Sequence, residues 1–124
     1  SFVQQMGLEP PMVAIAVGQE RSILAELRQS KRFTLSILDP ASRGLMSAFV
    51  RRLPEGVRPY DGLALAQAPS GVPYLAEALA WLDCQWQGEH ALADHCVVFG
   101  QVMAGALLRE GEPLVHLRKN GLSY

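Results

Sequence analysis

The alternation of apolar and polar positions divides the chain into short β-type runs interrupted by two helix-type ones. "MVAIAVG" at 12–18 is a continuous β-rich run behind Pro10-Pro11. Proline can open a strand but cannot sit inside its ladder, so the run predicts a buried strand that starts at the prolines. Next comes "ILAELRQS", with Ile23, Leu24 and Leu27 at helical spacing and Ser22 placed to cap free N–H groups. A short helix over about 22–30 follows from that spacing. In "RFTLSIL" (32–38), Phe33, Leu35 and Ile37 alternate with Thr34, Ser36 and Leu38, the period of a half-buried strand, and Asp39-Pro40 stops it. "ASRGLMSAFVRRL" (41–53) reads as helix through Leu45, Met46, Phe49 and Leu53, and "PEGVRPYDG" (54–62) as loop.

The second half is β-dominated. "LALAQAPSGVP" predicts a short strand entering a turn, while "YLAEAL" favours helix locally. Ala80, Leu82, Cys84 and Trp86 alternate with Trp81, Asp83, Gln85 and Gln87, a strand with one polar face. After a loop around Gly88, residues 95–108 predict a long strand and "PLVHLRK" a further one. The order of elements does not repeat β-α as a nucleotide-binding Rossmann unit would.

Composition narrows the class. The 124 residues are 49% apolar and 19% charged, with net charge −1, which excludes a disordered chain. A single domain, 1–124, fits this length and can bury roughly two thirds of its unfolded surface. So apolar a surface commonly ends in an oligomer. Eleven Lys and Arg against twelve Asp and Glu are dispersed, so no basic stripe offers nucleic acid a counterion-release handle. Apolar stretches such as "CVVF" fall far short of the ~20 residues that cross a bilayer, and no signal peptide opens the chain. The expected setting is therefore the cytoplasm, in solution and away from membranes. The chain begins at Ser1 and runs almost directly into "LEPPMVAIAV", which suggests a further segment upstream. Cys84 and Cys96 lie on segments that could neighbour each other as strands, so a disulfide is geometrically conceivable; a cytosolic setting favours two reduced core thiols.

Candidate chemistry is sparse. His90, His95, His116, Cys84, Cys96 and Asp94 could ligate a metal, but none forms the close pairs typical of zinc sites. The nucleophile elbow, the phosphate loop and the dinucleotide fingerprint are all absent. In "GQERSILAEL" a strand runs into a helix whose N-terminus carries Arg21 and Ser22. Free amides, the helix dipole, a hydroxyl and a guanidinium there would seat a phosphate; a plain serine cap with a solvated arginine is the commoner arrangement of the same residues. Taken alone, Asp94-His95 in "ADHCVVFGQV" reads as a turn aspartate bonding a nearby backbone N–H, followed by a strand-edge histidine, ahead of a reactive pair. Trp81, Trp86, Phe33, Phe49 and Tyr60 are residue types more often found in a core than along a cofactor.

Several segments in order resemble the flavin reductase-like family of FMN-binding split β-barrels. "LEPPMVAIAV" is similar to its S-L-D-P-P-L-V strand, and "RSILAELRQSKRFTLSIL" to its short helix and F-x-V-N-V-L strand. "SGVPYLAEALAWLDC" corresponds to G-x-P-x-L-x-x-A-x-A-x-L-x-C, "ADHCVVFGQV" to G-D-H-x-x-x-x-G-x-V, and "EPLVHLRKNGLSY" to a terminal P-L-x-x-x-x-G-x-Y. "FVRRLPEGVRPYDGL" and the closing "VHLRKNGLSY" look like the C-terminal reductase module of cyanobacterial flavodiiron proteins.

The resemblance implies a mainly β fold with two short helices, a split antiparallel β-barrel whose first strand lies upstream of Ser1. It further implies a homodimer of six-stranded barrels with FMN near the subunit interface, an NADH- or NADPH-dependent flavin reductase that passes electrons to a flavodiiron-type or other acceptor. The alternative is a flavin-carrying or purely structural barrel without nicotinamide chemistry. Ser1 to Gly7 would lie beside the flavin, with Gln4 or Gln5 as hydrogen-bond partners; Arg21 and Ser22 would take the phosphate. Ser36, at the family's Asn position, would face the flavin. His95 would line the nicotinamide pocket with Asp94 orienting it, and Tyr124 would match the final aromatic near the cleft. "YLAEAL" becomes the approach to a strand. Hydride transfer between two stacked rings needs positioning and exclusion of water, and no nucleophile. The chain departs from the pattern at Val3-Gln4-Gln5-Met6, Gly7, Glu9, Ser36 and Ala93, substitutions that bear on flavin affinity.

Overall fold

The structure, a computed structural model, describes residues 2–50, 54 and 56–115. In chain order it comprises β1 (Phe2–Leu8), β2 (Pro11–Gly18), α1 (Ser22–Ser30), β3 (Arg32–Ile37), a 3-10 turn (Arg43–Leu45), α2 (Met46–Val50), β4 (Leu65–Gln67), β5 (Pro73–Leu75), β6 (Ala80–Leu92) and β7 (His95–Leu107). Five strands form one antiparallel sheet in the order β1-β2-β7-β6-β3, and β4-β5 form a separate two-stranded hairpin. Among the described residues the sheet is open, with β1 and β3 at its edges, so the six-stranded barrel expected of the family is not closed here.

The period-two pattern determines which face of the sheet is dry. Val13, Ile15 and Val17 of β2, Cys96 and Val98 of β7, Cys84 of β6 and Phe33 of β3 form one buried cluster, closed by Leu24 and Leu27 of α1. Burying each leucine contributes roughly 1.5–3 kcal/mol, and their spacing is the helical one that the sequence displays. Lys31 ends α1 in the left-handed region, its N–H donating back to the Leu27 carbonyl. At the centre of the cluster Gly100 lets Phe33 lie against β7; a Cβ there would come within 2.4 Å of the Phe33 ring.

Several local expectations give way to tertiary structure. Phe2–Leu8 is itself a strand, paired with β2 from Phe2↔Ala16 to Leu8↔Pro11, so a strand leads into the Pro10-Pro11 turn. "YLAEAL" forms no helix, because Leu79 N–H donates to the Ile37 carbonyl and Ala76 N–H to that of Ala64; long-range bonds override a weak local propensity. Gly88 does not open a loop. Strand β6 runs through it with a register shift between Trp86 and Gly88, and the reversal to β7 comes at Ala93-Asp94. The segment expected to be one helix over 41–53 is a 3-10 turn followed by one short α turn, ending at Val50, and 51–53 lie outside the described residues. Residues 113–115 are in no strand, although Leu114 N–H donates to the Leu38 carbonyl at 2.6 Å; the rest of "PLVHLRK" lies outside the described residues.

The two cysteines cannot pair. Cys84 sits opposite Val102 and Cys96 opposite Ala91, well apart along the same ladder, and both are free and buried. Burial, reinforced by neighbouring Asp83, pushes the Cys84 thiol up to about 12, and burial also raises that of Cys96. Beyond β7 the chain is tied back by Arg109, whose guanidinium donates to both Asp39 carboxylate oxygens (2.9 and 2.8 Å) and to the Glu77 carbonyl (2.9 Å). Arg109, then the Ser42 hydroxyl, hold the Asp39 carboxyl well below the usual carboxylate range.

Candidate functional site

The outer face of β3 carries a cleft. By alternation Phe33 turns to the core while Thr34 and Ser36 turn away from it, and there they meet the β4-β5 hairpin. A cleft of about 380 Å³ opens between that hairpin, α2 and Tyr60; Ser36, Phe49, Leu65 and Tyr74 lie among its walls. This volume is in the range of cofactor pockets, which are largely apolar with a few polar groups. A second lobe of about 310 Å³ shares Thr34, Tyr60 and Pro73 with the first and runs along α1 past Ile23, Glu26 and Ser30. Tyr60 divides the lobes, its hydroxyl accepting from Arg58 Nη1 at 2.8 Å.

The polar residues of the cleft wall bind the hairpin backbone. Thr34 Oγ1 donates to the Pro73 carbonyl at 2.6 Å, and Leu75 N–H donates to Ser36 Oγ at 3.0 Å. Among the described residues no acceptor is found for the Ser36 hydroxyl's own proton, which leaves one donor at the apolar wall. Tyr74 stacks on Trp81 with ring centroids 4.8 Å apart, which stiffens the hairpin side. Phe49 and Tyr60, expected in the core, instead line the cleft.

The other end of the sheet gathers a different set. Gln19 N–H donates to the Asp94 carbonyl (2.9 Å) and the Gln19 side-chain amide to that of Ala93 (2.7 Å), so the start of α1 and the β6-β7 turn are adjacent. Arg21 holds the N-cap position with no side-chain cap bond, and Ser22 is the first helical residue; the serine cap is therefore not formed. The first amides of α1 have no helical acceptor to reach. Arg21 is exposed, and among the described residues its ion-pair contact is with Glu20 at 3.7 Å. His95 opens β7 on the face opposite the core, 45% exposed, its Nδ1 2.8 Å from Asp94 Oδ1. That bond lowers the Asp94 carboxyl from its ordinary value. The contact orients the imidazole ring, with Nδ1 turned toward Asp94 and Nε2 free of that bond.

The predicted site residues thus fall into two groups. Arg21, Ser22, Asp94 and His95 share one end. Ser36 stands opposite Trp81, whereas His95 stands opposite Leu92, eleven residues further along β6; at ~3.3 Å per residue that is roughly 35 Å along the strand. Gln4 and Gln5 are exposed on edge strand β1, Gln5 at a register shift. Ser1 and Tyr124, like His116, lie outside the described residues. Thr34, Leu65 and Tyr74 escape notice in the sequence because strand residues that line a cleft have no motif of their own; the polar alternation at 34 and 36 is the one available signal. Among the described residues no group of three or more His, Cys, Asp or Glu side chains could hold a metal, and no helix is long and apolar enough to cross a membrane.

Known proteins converge on one family. A family model described as "Flavin reductase like domain" matches residues 1–121. The chain is 35% identical over 126 residues to "Diflavin flavoprotein A 1" of Synechocystis sp., covering all of this chain and 22% of that protein; it spans about a fifth of the curated relatives it matches. Among solved structures it resembles the NADH:FAD oxidoreductase of Streptomyces globisporus, at 26% identity and a TM-score of 0.78 over 85% of this chain and 63% of that one. It also resembles the styrene monooxygenase flavin reductase of Pseudomonas putida S12, at 26% identity and a TM-score of 0.76 over 90% and 69%.

Proposed function

The chain belongs to the flavin reductase-like domain family, and from that premise we propose that it is an NAD(P)H-dependent FMN reductase module, passing electrons to a flavodiiron-type acceptor. The observation that carries this is the apolar cleft of about 380 Å³ beside β3, with a Ser36 hydroxyl proton in its wall for which no acceptor is found among the described residues. An apolar slot lined by aromatic side chains, with a single hydroxyl donor, suits a flat heteroaromatic ring that carries acceptor atoms at its edge. FMN, when bound, supplies the ring that accepts hydride.

In this proposal the chain's own residues position and shield. Tyr74 and Phe49 exclude water from the ring, and Ser36 donates to an acceptor atom at its edge. Arg21 and the first amides of α1, at Ser22 and Ile23, hold an anionic tail. His95 aligns the nicotinamide, its ring oriented by Asp94. Because Arg21 and His95 share one end of the sheet and Ser36 stands at the other, a site that uses Ser36 with either of them takes them from two subunits. Phe2, Val3, Met6, Leu8, Met103 and Leu107 are exposed, which supports the homodimer that such sharing needs. In relatives named diflavin flavoproteins, a module of this kind is one part of a longer chain, and this supports an acceptor of the flavodiiron type.

One observation favours the alternative of a flavin carrier without nicotinamide chemistry: Arg21 is exposed and loosely paired. Titration with FMN, followed by anaerobic addition of NADH or NADPH, separates the two. Uptake of FMN and bleaching of its visible band are expected. Uptake without bleaching leaves the carrier, and no uptake removes the cofactor altogether.

A further inference from the structure

The β4-β5 hairpin forms one wall of the cleft, yet it is not part of the main sheet. Only three residue pairs join its strands, and two-stranded hairpins of this size are marginal alone. Its place is set by polar side chains that stand on the outer face of β3 and β6. Thr34 and Asp83 are directly opposed, as are Ser36 and Trp81. Thr34 holds Pro73 and Ser36 holds Leu75. Asp83, only 3% exposed, accepts from both the backbone N–H (2.9 Å) and the hydroxyl (2.7 Å) of Ser70 in the turn between β4 and β5. That turn bends through Gly71 at φ +85° and closes with its own Gly71 N–H to Ala68 carbonyl bond.

Asp83 lines neither lobe. A buried carboxylate on an otherwise apolar sheet is costly unless its acceptors are filled, and here both bonds go to one residue of the hairpin. We infer that Asp83 is a positioning residue for the cleft: acting through Ser70, it holds the hairpin against β3 and β6 and so sets the width of the slot between Tyr74 and α2. The occupant of that slot rests on the flavin assignment made above; the anchoring of the wall does not.

The test uses lumiflavin, the isolated ring, and amide hydrogen exchange on the same proteins. Asp83→Ala is expected to weaken lumiflavin binding about tenfold and Ser70→Ala about threefold, as the loss of two bonds or one to a charged acceptor implies. Asp83→Asn, whose amide can accept from Ser70 N–H and donate to Ser70 Oγ, restores affinity to within about threefold of wild type. Exchange at the Ser70 amide speeds at least about tenfold in Asp83→Ala, while the Ile15 and Val98 amides of the core keep wild-type rates. Wild-type affinity together with unchanged exchange at Ser70 in Asp83→Ala overturns the inference. Should that variant not fold, Ser70→Ala decides by the same two readouts. A wild-type protein that ignores lumiflavin removes the flavin assignment alone, and the exchange arm then rules on the wall by itself.

Discussion

The two ends of the sheet handle polarity in opposite ways. At the β6-β7 turn the reactive-looking groups stand in solvent: Asp94 is 86% exposed, its carboxylate orients the His95 ring, and Arg21 is exposed beside Glu20. At the cleft, Thr34 and Ser36 look like ordinary strand residues, yet each fastens a piece of backbone beside an apolar slot. Residue type advertises the first end, and shape makes the second. Chemistry between two rings needs both, one to enclose and one to orient, and this separation is the reason the proposed site draws on two subunits.

The sharpest way to break that comparison is to remove a group from the exposed end. His95→Ala is expected to slow anaerobic bleaching by NADH or NADPH by on the order of 10- to 100-fold while FMN affinity stays within about threefold; stopped-flow rates and an FMN titration measure the two. Arg21→Ala should do the reverse, weakening FMN about tenfold with bleaching at saturating FMN nearly unchanged. Equal effects of both substitutions on both quantities would refute the assigned division of labour.

Acid separates the two ends by stability. The carboxyl of Asp39 is depressed in the folded chain by Arg109 and then Ser42, so it favours the folded state in full above the ordinary carboxylate pKa of ~4 and loses that contribution as pH falls below it. Asp39→Asn should therefore lower the melting temperature at pH 7 and narrow its difference from wild type as the pH falls toward about 3, read by thermal denaturation. The smallest effect belongs to the β6-β7 turn. Ala93 has φ +50°, where alanine is strained, and Ala93→Gly should raise stability by about 0.5–1 kcal/mol in denaturant unfolding without touching the cleft. The buried thiols supply a check on the core between the two ends: Cys84 and Cys96 should resist thiol reagents at pH 8 until the protein is unfolded, as their raised pKa values require.

Much of the fold was legible in the sequence. The period of two in "RFTLSIL", the helical spacing of Leu24 and Leu27, and the Asp39-Pro40 stop each concern consecutive residues, and the structure follows them almost residue for residue. So does the resemblance carried by "ADHCVVFGQV" and "LEPPMVAIAV", borne out by a family match over nearly the whole chain. What periodicity could not supply was anything settled by partners distant in the chain: the strand at Phe2–Leu8, paired with β2; the strand end and turn of "YLAEAL", tied to the carbonyls of Ala64 and Ile37; and the bulge at Gly88, which keeps β6 paired with β7. By itself, then, the sequence determined the class, the dry face of the sheet and the family, because these depend on local period and residue order. Tertiary structure alone decided that Phe49 and Tyr60 leave the core, that Asp83 grips a hairpin, and that Ser36 and His95 stand a sheet's length apart, because a concave surface and a distance belong to segments that meet only after folding.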